Sequence, residues 1–321
     1  MTPDDTVLAA AAQRLAAGEL VAFPTETVYG LGARADDDVA VARIYTAKGR
    51  PSGHPLIVHV ASAAAVDFFA HGVSPAARRL MAAFWPGPLT VIVPRRPGVA
   101  AAAAGGQNSI GLRWSSHPVA QALIERAAAL GVPGVAGPSA NRFGRVSPTT
   151  AAHVVQEFGP DLLVLDGGAC AVGIESAIVD CTRARAALLR PGQLTRLQLQ
   201  QVLGQPLADP DRASPRASGT LASHYAPSAP VQLWSPQTLA QRLALPPPAG
   251  QVIGVYSRLA PAAGPGWLHR PMAADAAAVA HDMFSVLRDL DAAGVNAIWV
   301  ERPPCGADWD GVTDRLQRAS A

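Results

Sequence analysis

Short apolar segments alternate with amphipathic segments along the first two thirds of the chain. Apolar runs bounded by Gly, Pro or polar residues predict a strand that ends at His59 and further strands at 21–23, 89–93, 110–113, 162–165, 177–179 and 188–190. Apolar residues at helical spacing predict helices at 63–69, 75–84 and 117–130, with a hydroxyl-rich helix start at 147–150. This alternation predicts a mixed α/β domain over residues 1–205.

The pattern changes after this domain. Residues 206–230 are rich in Pro, Ser, Ala and Gly and show no apolar periodicity, which is typical of a linker. Beyond the linker, predicted strands at 231–234, 252–256 and 297–300 alternate with predicted helices at 237–243, 273–293 and 309–319. The chain of 321 residues is long enough for two cores, so a second, small α/β domain is predicted over 231–321.

Composition excludes several classes of protein. The chain has a formal net charge of +2 and no basic run, which argues against a surface built mainly for nucleic acid. Its three cysteines lack CxxC spacing, so neither a disulfide framework nor a zinc site is expected. Asp4 and Asp5 favour a capped surface helix over a signal peptide, and no run of about 18 apolar residues occurs. We therefore expect a cytoplasmic protein without a membrane span.

The densest group of candidate residues lies between Val21 and Val60. A strand there is followed by a polar turn, a glycine pair, an amphipathic helix and the segment Lys48-Gly49-Arg50-Pro51. Lys48 is the only lysine in the chain. A lysine and an arginine on either side of a glycine suit a polyphosphate, the first as a point charge and the second as a fork. The alternative is a solvated helix end, where cations are common.

Other candidate residues also have two interpretations each. Thr25, Glu26 and Thr27 could recognise a small polar ligand or form an ordinary hydrogen-bonded turn. Arg113 could bind a carboxylate with two parallel hydrogen bonds or be an edge arginine. A ligand-binding role and an ordinary structural role are likewise both open for His59, Ser139, Asn141, the turn at 173–176 and Arg190. No GxxxxGK[ST] sequence occurs, which excludes a P-loop, and Gly30-Leu31-Gly32 lacks the third glycine of a dinucleotide fingerprint.

Nine motifs, taken in order, resemble the threonylcarbamoyl-adenylate synthase family in its two-domain form. They are PTETVYGLG, KGRP, HPLIVHV, FWPGPLT, GPSAN, SPTTAAHV, GIES, LRPG and HYAP. The resemblance covers about the first 205 residues and the end of the linker, and the C-terminal part carries no motif. It implies a twisted, open, mixed sheet of the YrdC-like type in the first domain. For the C-terminal domain, the alternation of strands and helices alone predicts a smaller, Rossmann-like α/β fold.

The resemblance also implies a reaction. The family joins L-threonine, bicarbonate and ATP into threonylcarbamoyl-AMP and pyrophosphate, for threonylcarbamoyl modification of the tRNA adenosine next to the anticodon. A downstream tRNA threonylcarbamoyl transferase complex would consume the product. Mg2+ is expected to arrive with ATP, and no tightly bound cofactor, metal-binding residue or membrane partner is expected. Whether the chain binds tRNA directly is left open.

Site residues follow from the same resemblance, position by position. L-threonine would be bound by Thr27, His59, Arg113, the backbone of Gly137, and Ser176. ATP would be bound by Arg50, His54, Ser109, Ser139, Ser147, Arg190 and Tyr225. Lys48 would lie beside the phosphates, and Lys48 and Arg50 are the expected catalytic residues. Tyr225 in the linker would lie over ATP as a lid.

Three departures and two alternative functions accompany this prediction. Ala177 stands where the family has threonine, His54 where it has asparagine, and 214–219 lacks the usual Pro-Gly-Met-like sequence. One alternative is a carbamoyl-adenylate-forming module of the kind found in hydrogenase maturation proteins, against which the scattered cysteines argue. The other is a noncatalytic RNA-binding protein, against which the lack of basic runs and the 5% aromatic content argue.

Overall fold

The structure is a computed structural model that describes residues 4–261 and 265–321. These residues form two compact units, one within Met1–Phe143 and Ser147–Thr220 and the other within Gly144–Val146 and Leu221–Ala321. Residues 206–220, which the sequence analysis assigned to the linker, belong to the first unit.

The first unit contains nine strands and seven α-helices among its described residues. The strands are β1 (Val21–Phe23), β2 (Gly30–Arg34), β3 (Ile57–His59), β4 (Leu89–Pro94), β5 (Ser109–Arg113), β6 (Val135–Ala136), β7 (Leu163–Val164), β8 (Ala177–Asp180) and β9 (Ala187–Arg190). The helices are α1 (Asp5–Ala16), α2 (Asp38–Lys48), α3 (Val66–Phe69), α4 (Pro75–Phe84), α5 (Pro118–Ala129), α6 (Ala151–Phe158) and α7 (Arg196–Leu203).

These strands form one mixed sheet in the order β7-β1-β2-β6-β3-β5-β4-β8-β9. Each face of the sheet packs against helices. Successive residues of a strand point to opposite faces, so neighbouring residues belong to different cores. Ala22 packs in the core that includes α2 and α4, whereas its neighbours Val21 and Phe23 pack in the core formed with α1 and α5. The prediction of a mixed sheet in the first domain is confirmed.

Several helix ends follow local signals in the sequence. The Asp4 side chain accepts a hydrogen bond from the Thr6 backbone N–H at the start of α1. Thr150 caps α6 in the same way by accepting from the N–H of His153. Helix α2 ends at Gly49, whose φ of 62° is the left-handed conformation that glycine adopts without cost. This helix end places Lys48 and Arg50 on either side of a sharp change in chain direction.

Four elements are absent from the sequence prediction, namely β2, β6, α7 and β12 (Trp267–Pro271). Strand β2 was hidden by its glycines, which resemble a turn in the sequence. A Cβ atom on Gly32 would lie 2.9 Å from both the Phe23 ring and Val135, and one on Gly30 would lie 3.1 Å from the same ring. The glycines are therefore required by the packing of a phenylalanine across β2, and they do not end the strand.

The second unit is a smaller α/β fold, as predicted. Its described strands β10 (Val231–Trp234), β11 (Ile253–Ser257), β12 and β13 (Ala297–Glu301) are all parallel and lie in the order β10-β13-β11-β12. The helices are α8 (Pro236–Leu243), α9 (Ala276–Ala292) and α10 (Asp310–Ala319). Among the residues that the structure describes, no helix combines the length and apolar character needed to cross a membrane.

Candidate active site

Neighbouring strands of the first unit bring together most of the residues predicted to bind threonine. His59 and Arg113 are paired in register on the parallel strands β3 and β5. Gly137 follows β6, the other neighbour of β3, and its N–H donates to the Ile57 carbonyl. Ser176 directly precedes β8, which pairs with β4. The sheet order therefore brings residues from distant parts of the sequence together on the adjoining strands β6, β3, β5, β4 and β8.

Arg113 is the charged group of this cluster. Its side chain is 4% exposed, and its Nη2 atom lies 2.8 Å from Oε1 of Glu26, itself 9% exposed. This contact leaves one N–H of Nη2 facing Glu26. The Nε atom of Arg113 is also buried, and no acceptor among the described residues is aligned with it. A buried guanidinium donor without an acceptor is costly unless a further polar group meets it.

Burial of Glu26 raises the pKa of its carboxyl, but the charge of Arg113 and a hydrogen bond from the Ser115 hydroxyl outweigh this effect. The pKa of Glu26 is therefore below its ordinary value, and the carboxylate is ionised at neutral pH. The Glu26–Arg113 pair thus carries no net charge, which reduces the desolvation cost of burying the two groups.

His59 lies beside this pair as a neutral imidazole. Burial and the neighbouring positive charge of Arg113 lower the pKa of His59 to about 3. Its Nδ1 atom is buried and has no hydrogen-bond partner among the described residues. The ring stacks edge-on against Phe23 at 5.4 Å, and a Cβ atom on Gly137 would lie 2.9 Å from it. The position of Gly137 therefore allows only glycine beside the His59 ring.

The unfolding free energy is expected to fall as the pH is lowered from 7 to 5. In the unfolded chain His59 takes up a proton near its ordinary pKa of 6.5, whereas the folded protein keeps it neutral down to about pH 3. The unfolded state thus binds more protons in this window, which destabilises the fold. Urea unfolding at the two pH values measures the loss, and His59→Gln should lose less than the wild type. Equal losses in the two proteins would contradict this assignment.

Two arginines predicted to bind ATP converge on one residue of the segment 206–220. Nη2 of Arg50 donates to the Ser218 hydroxyl at 3.3 Å, and Nη1 of Arg190 donates to the Ser218 carbonyl at 2.9 Å. Nη2 of Arg190 also donates to the Ser176 carbonyl at 2.9 Å and to its hydroxyl at 3.3 Å. Arg190 thus links Ser176 to Ser218, to which Arg50 also donates.

Lys48 is buried, with 2% of its surface exposed, so the alternative of a solvated helix end is wrong. Its Nζ atom donates to the backbone carbonyls of Ser139 and Asn141. Burial and the charge of Arg50 lower the pKa of Lys48 well below its ordinary value. Lys48 therefore holds the loop that contains GPSAN against the end of α2.

The other predicted nucleotide-binding residues lie in different surroundings. The Ser147 hydroxyl donates to the buried carboxylate of Glu175. Ser109 is at the start of β5 and lines a pocket with Gln107, Gly111 and Ser218. The ring of His54 lies 5.5 Å from that of Phe143, and partial burial and the charge of Arg50 lower its pKa.

Two more predicted residues need separate description. Tyr225 belongs to the second unit, where its ring packs against His224 and Phe284 and under the guanidinium of Arg315. Thr27 is fully buried in the turn after β1, and its hydroxyl shares a 2.8 Å hydrogen bond with that of Thr25. The turn interpretation and the ligand interpretation of 25–27 are thus compatible.

Sequence reasoning missed two residues that belong to this constellation, Thr90 and Ser218. It offered Glu26 either as a residue that recognises a ligand or as part of a turn, but not as the partner of Arg113, because that pairing depends on how the turn after β1 packs against the end of β5. Thr90, in the motif FWPGPLT, shares a 2.8 Å hydrogen bond with the Ser176 hydroxyl. Ser218 lies in a segment without apolar periodicity. The signals available were a carboxylate between two threonines and a threonine that ends an apolar motif.

Two observations concern other possible ligand sites among the described residues. No group of three or more His, Cys, Asp or Glu side chains that could hold a metal ion lies there. A second pocket, lined mainly by apolar residues such as Met81, Trp85 and Trp114, contains none of the predicted site residues. The polar and charged constellation around Arg113 and Ser218 is therefore the candidate active site.

Comparison with known proteins bears on this site. Residues 13–192 match the Sua5/YciO/YrdC family model, described as "Telomere recombination", and residues 194–321 match the model described as "Threonylcarbamoyl-AMP synthase, C-terminal domain". The chain belongs to the Sua5/YrdC family. Two threonylcarbamoyl-AMP synthases are similar over most of their length. The one from Pyrococcus abyssi is 37% identical, over 94% of this chain and 91% of its own, and the one from Bacillus subtilis is 38% identical, over 80% and 75%.

A solved structure of the Sua5/YrdC family agrees with the fold. The crystal structure of P. abyssi Sua5 complexed with L-threonine aligns with a TM-score of 0.88 and 33% sequence identity. The alignment covers 100% of this chain and 96% of that one. The resemblance stated from the nine motifs is thereby confirmed, and it extends over the C-terminal part, where the sequence offered no motif.

Proposed function

We propose that the candidate active site of the first unit carries out the reaction of the family. L-threonine, bicarbonate and ATP are joined into threonylcarbamoyl-AMP with release of pyrophosphate, and the product supplies threonylcarbamoyl modification of a tRNA adenosine. The observation that carries this proposal is the buried guanidinium of Arg113, whose Nε has no aligned acceptor among the described residues. It lies in the same sheet as the strands that carry Thr90 and Arg190, both of which contact Ser176.

The threonine end of the site has the chemistry that an amino acid requires. The carboxylate of threonine would meet Nε of Arg113, for which no described residue supplies an aligned acceptor, and the N–H of Nη2 that does not face Glu26. His59, kept neutral, would offer Nδ1 to a polar group of the substrate without adding charge. Ser176 and the turn at Thr27 supply buried hydroxyl groups that can form hydrogen bonds with a small polar ligand.

The nucleotide end requires cations for a triphosphate. Arg50 and Arg190 donate to two oxygens of Ser218, and phosphate oxygens are stronger acceptors of the same kind. We infer that the triphosphate takes the place of these Ser218 contacts. Because Arg190 also contacts Ser176, the α-phosphorus would be brought close to the bound threonine.

The reaction then needs positioning and charge stabilisation and no covalent protein intermediate. The threonine amine takes up bicarbonate, losing water, to give a carbamate. A carbamate oxygen attacks the α-phosphorus of ATP, and pyrophosphate leaves. Mg2+ would arrive with ATP and neutralise charge on the phosphates, and the arginines would stabilise the remaining charge. We assign no general base. We also propose that the protein works in the cytoplasm and supplies a tRNA threonylcarbamoyl transferase complex.

Release of pyrophosphate is expected only when L-threonine, bicarbonate and ATP are all present. The measurement is a coupled pyrophosphate assay in which each substrate is omitted in turn, with bicarbonate removed by degassing. Carbamoyl phosphate replaces threonine and bicarbonate in a parallel reaction, which tests the carbamoyl-adenylate alternative. Pyrophosphate release that does not depend on threonine would contradict the proposal, and tRNA binding without any turnover would favour the RNA-binding alternative.

A further inference from the structure

Glu26 is the only acidic side chain within ion-pair distance of Arg113 among the described residues. It follows β1 in the chain, whereas Arg113 ends β5, so the pair joins parts of the sheet that are distant in sequence. The two charged atoms are 2.8 Å apart and both side chains are at least nine-tenths buried. A pair of this kind has two interpretations: it can serve stability, or it can set the orientation of the arginine.

The other contacts of Glu26 favour orientation. Its second carboxylate oxygen accepts a hydrogen bond from the hydroxyl of Ser115, two residues after Arg113 on the same chain segment. The carboxylate therefore grips this segment at two points. An arginine held only by its own rotatable bonds would lose binding energy to side-chain entropy, whereas a guanidinium clamped at one nitrogen keeps its remaining donors in a fixed plane.

The backbone of the same turn extends this control to the other side of the site. The Glu26 carbonyl accepts from the N–H of Val172 at 2.7 Å, and the Thr27 carbonyl accepts from the N–H of Gly173 at 3.1 Å. Both donors lie in the loop that leads to Ser176. One turn thus fixes the guanidinium through its side chain and the approach of the Ser176 loop through its backbone.

We propose that Glu26 is a positioning residue for L-threonine, because its carboxylate, held by one N–H of Nη2, sets the plane of the Arg113 guanidinium so that Nε and the second N–H of Nη2 meet the substrate carboxylate together. This inference rests on the proposed function, since it takes Arg113 to be the carboxylate-binding group. Glu26 itself contacts no reacting atom. It acts on substrate affinity through Arg113, so its loss should change the KM for threonine more than kcat.

An opposing electrostatic effect makes the test decisive. Removing the negative charge of Glu26 leaves Arg113 uncompensated and strengthens its attraction for any anion. If charge alone determined threonine binding, Glu26→Gln would therefore lower the KM for threonine. If orientation dominates, the same variant raises it, because a misdirected fork makes one hydrogen bond where two are needed. The sign of the change separates the two interpretations.

The experiment measures KM for threonine, KM for ATP and kcat by pyrophosphate release for the wild type, Glu26→Gln, Glu26→Asp and the control Glu125→Gln. Glu125 is an exposed glutamate on α5. For Glu26→Gln we expect the KM for threonine to rise about 10- to 100-fold, with the KM for ATP within about twofold. Glu26→Asp, which keeps the charge, should fall between wild type and Glu26→Gln, and Glu125→Gln should match the wild type.

The same substitution in an Arg113→Lys protein keeps the test valid if Glu26→Gln also loses stability. Lysine has no planar guanidinium for Glu26 to orient, so adding Glu26→Gln to Arg113→Lys should raise the KM for threonine by less than about threefold. An unchanged or lower KM for threonine in Glu26→Gln would overturn the proposal, as would equal effects of Glu26→Gln in both backgrounds. Absence of threonine-dependent release in the wild type would instead overturn the proposed function, so the two failures are distinguishable.

Discussion

Replacing Arg113 with alanine is expected to lower kcat/KM for threonine by about 100-fold or more, with most of the change in KM. The guanidinium is buried beside His59, and its Nε has no aligned acceptor among the described residues. Its removal takes away both the charge and the fork that a carboxylate needs. Pyrophosphate release at increasing threonine concentration measures the change, and the KM for ATP should stay within about threefold because the nucleotide end is intact.

Two further variants sharpen this expectation. Arg113→Lys keeps the positive charge but not the two parallel donors, so it should restore only a small part of the lost affinity. Arg126→Ala removes an arginine whose side chain is 36% exposed and paired with the exposed Asp5, and should behave as wild type. Near wild-type threonine kinetics in Arg113→Ala would contradict the assignment of the threonine end, and with it the basis for a role of Glu26.

Replacing Lys48 with methionine is expected to abolish threonine-dependent pyrophosphate release and also to lower the free energy of unfolding by about 2–4 kcal/mol. Methionine has a similar length but no donor, so the backbone carbonyls of Ser139 and Asn141 would lose the hydrogen bonds from Nζ. Loss of hydrogen bonds from a charged donor to backbone carbonyls costs about 1.5–3 kcal/mol each, partly offset because a charged group is no longer buried. Pyrophosphate release and urea unfolding measure the two effects.

The matched control for Lys48 lies on the same helix. Arg43 is an exposed residue of α2 whose guanidinium donates to the Gly18 carbonyl, so Arg43→Met removes a cation without disturbing the loop at 139–141. It should retain activity and lose less than about 1 kcal/mol of stability. A Lys48→Met protein with wild-type turnover would refute a role for Lys48. A protein that is inactive but fully stable would instead indicate a direct phosphate contact and no anchoring role.

The change in the interpretation of Lys48 shows what a linear pattern omits. Its position beside Gly49 and its status as the only lysine identified it as special. The sequence suggested a phosphate contact, because a lysine next to an arginine is typical of anion sites. The structure places Nζ on two carbonyls from a loop about 90 residues further along the chain. No local pattern reports such a partner, since it depends on how α2 packs against the loop after β6.

By itself, the sequence determined the alternation of strands and helices, the caps at Asp4 and Thr150, the order of the nine motifs and hence the family. These features depend on neighbours within a few residues, or on the identity and order of residues, which the sequence states directly. Only the tertiary structure decided that Gly30 and Gly32 form a strand under the Phe23 ring, that Glu26 clamps Arg113, and that Arg50 and Arg190 meet at Ser218. Each of these depends on strand order and on packing between segments far apart in the chain, and residue periodicity contains no information about either.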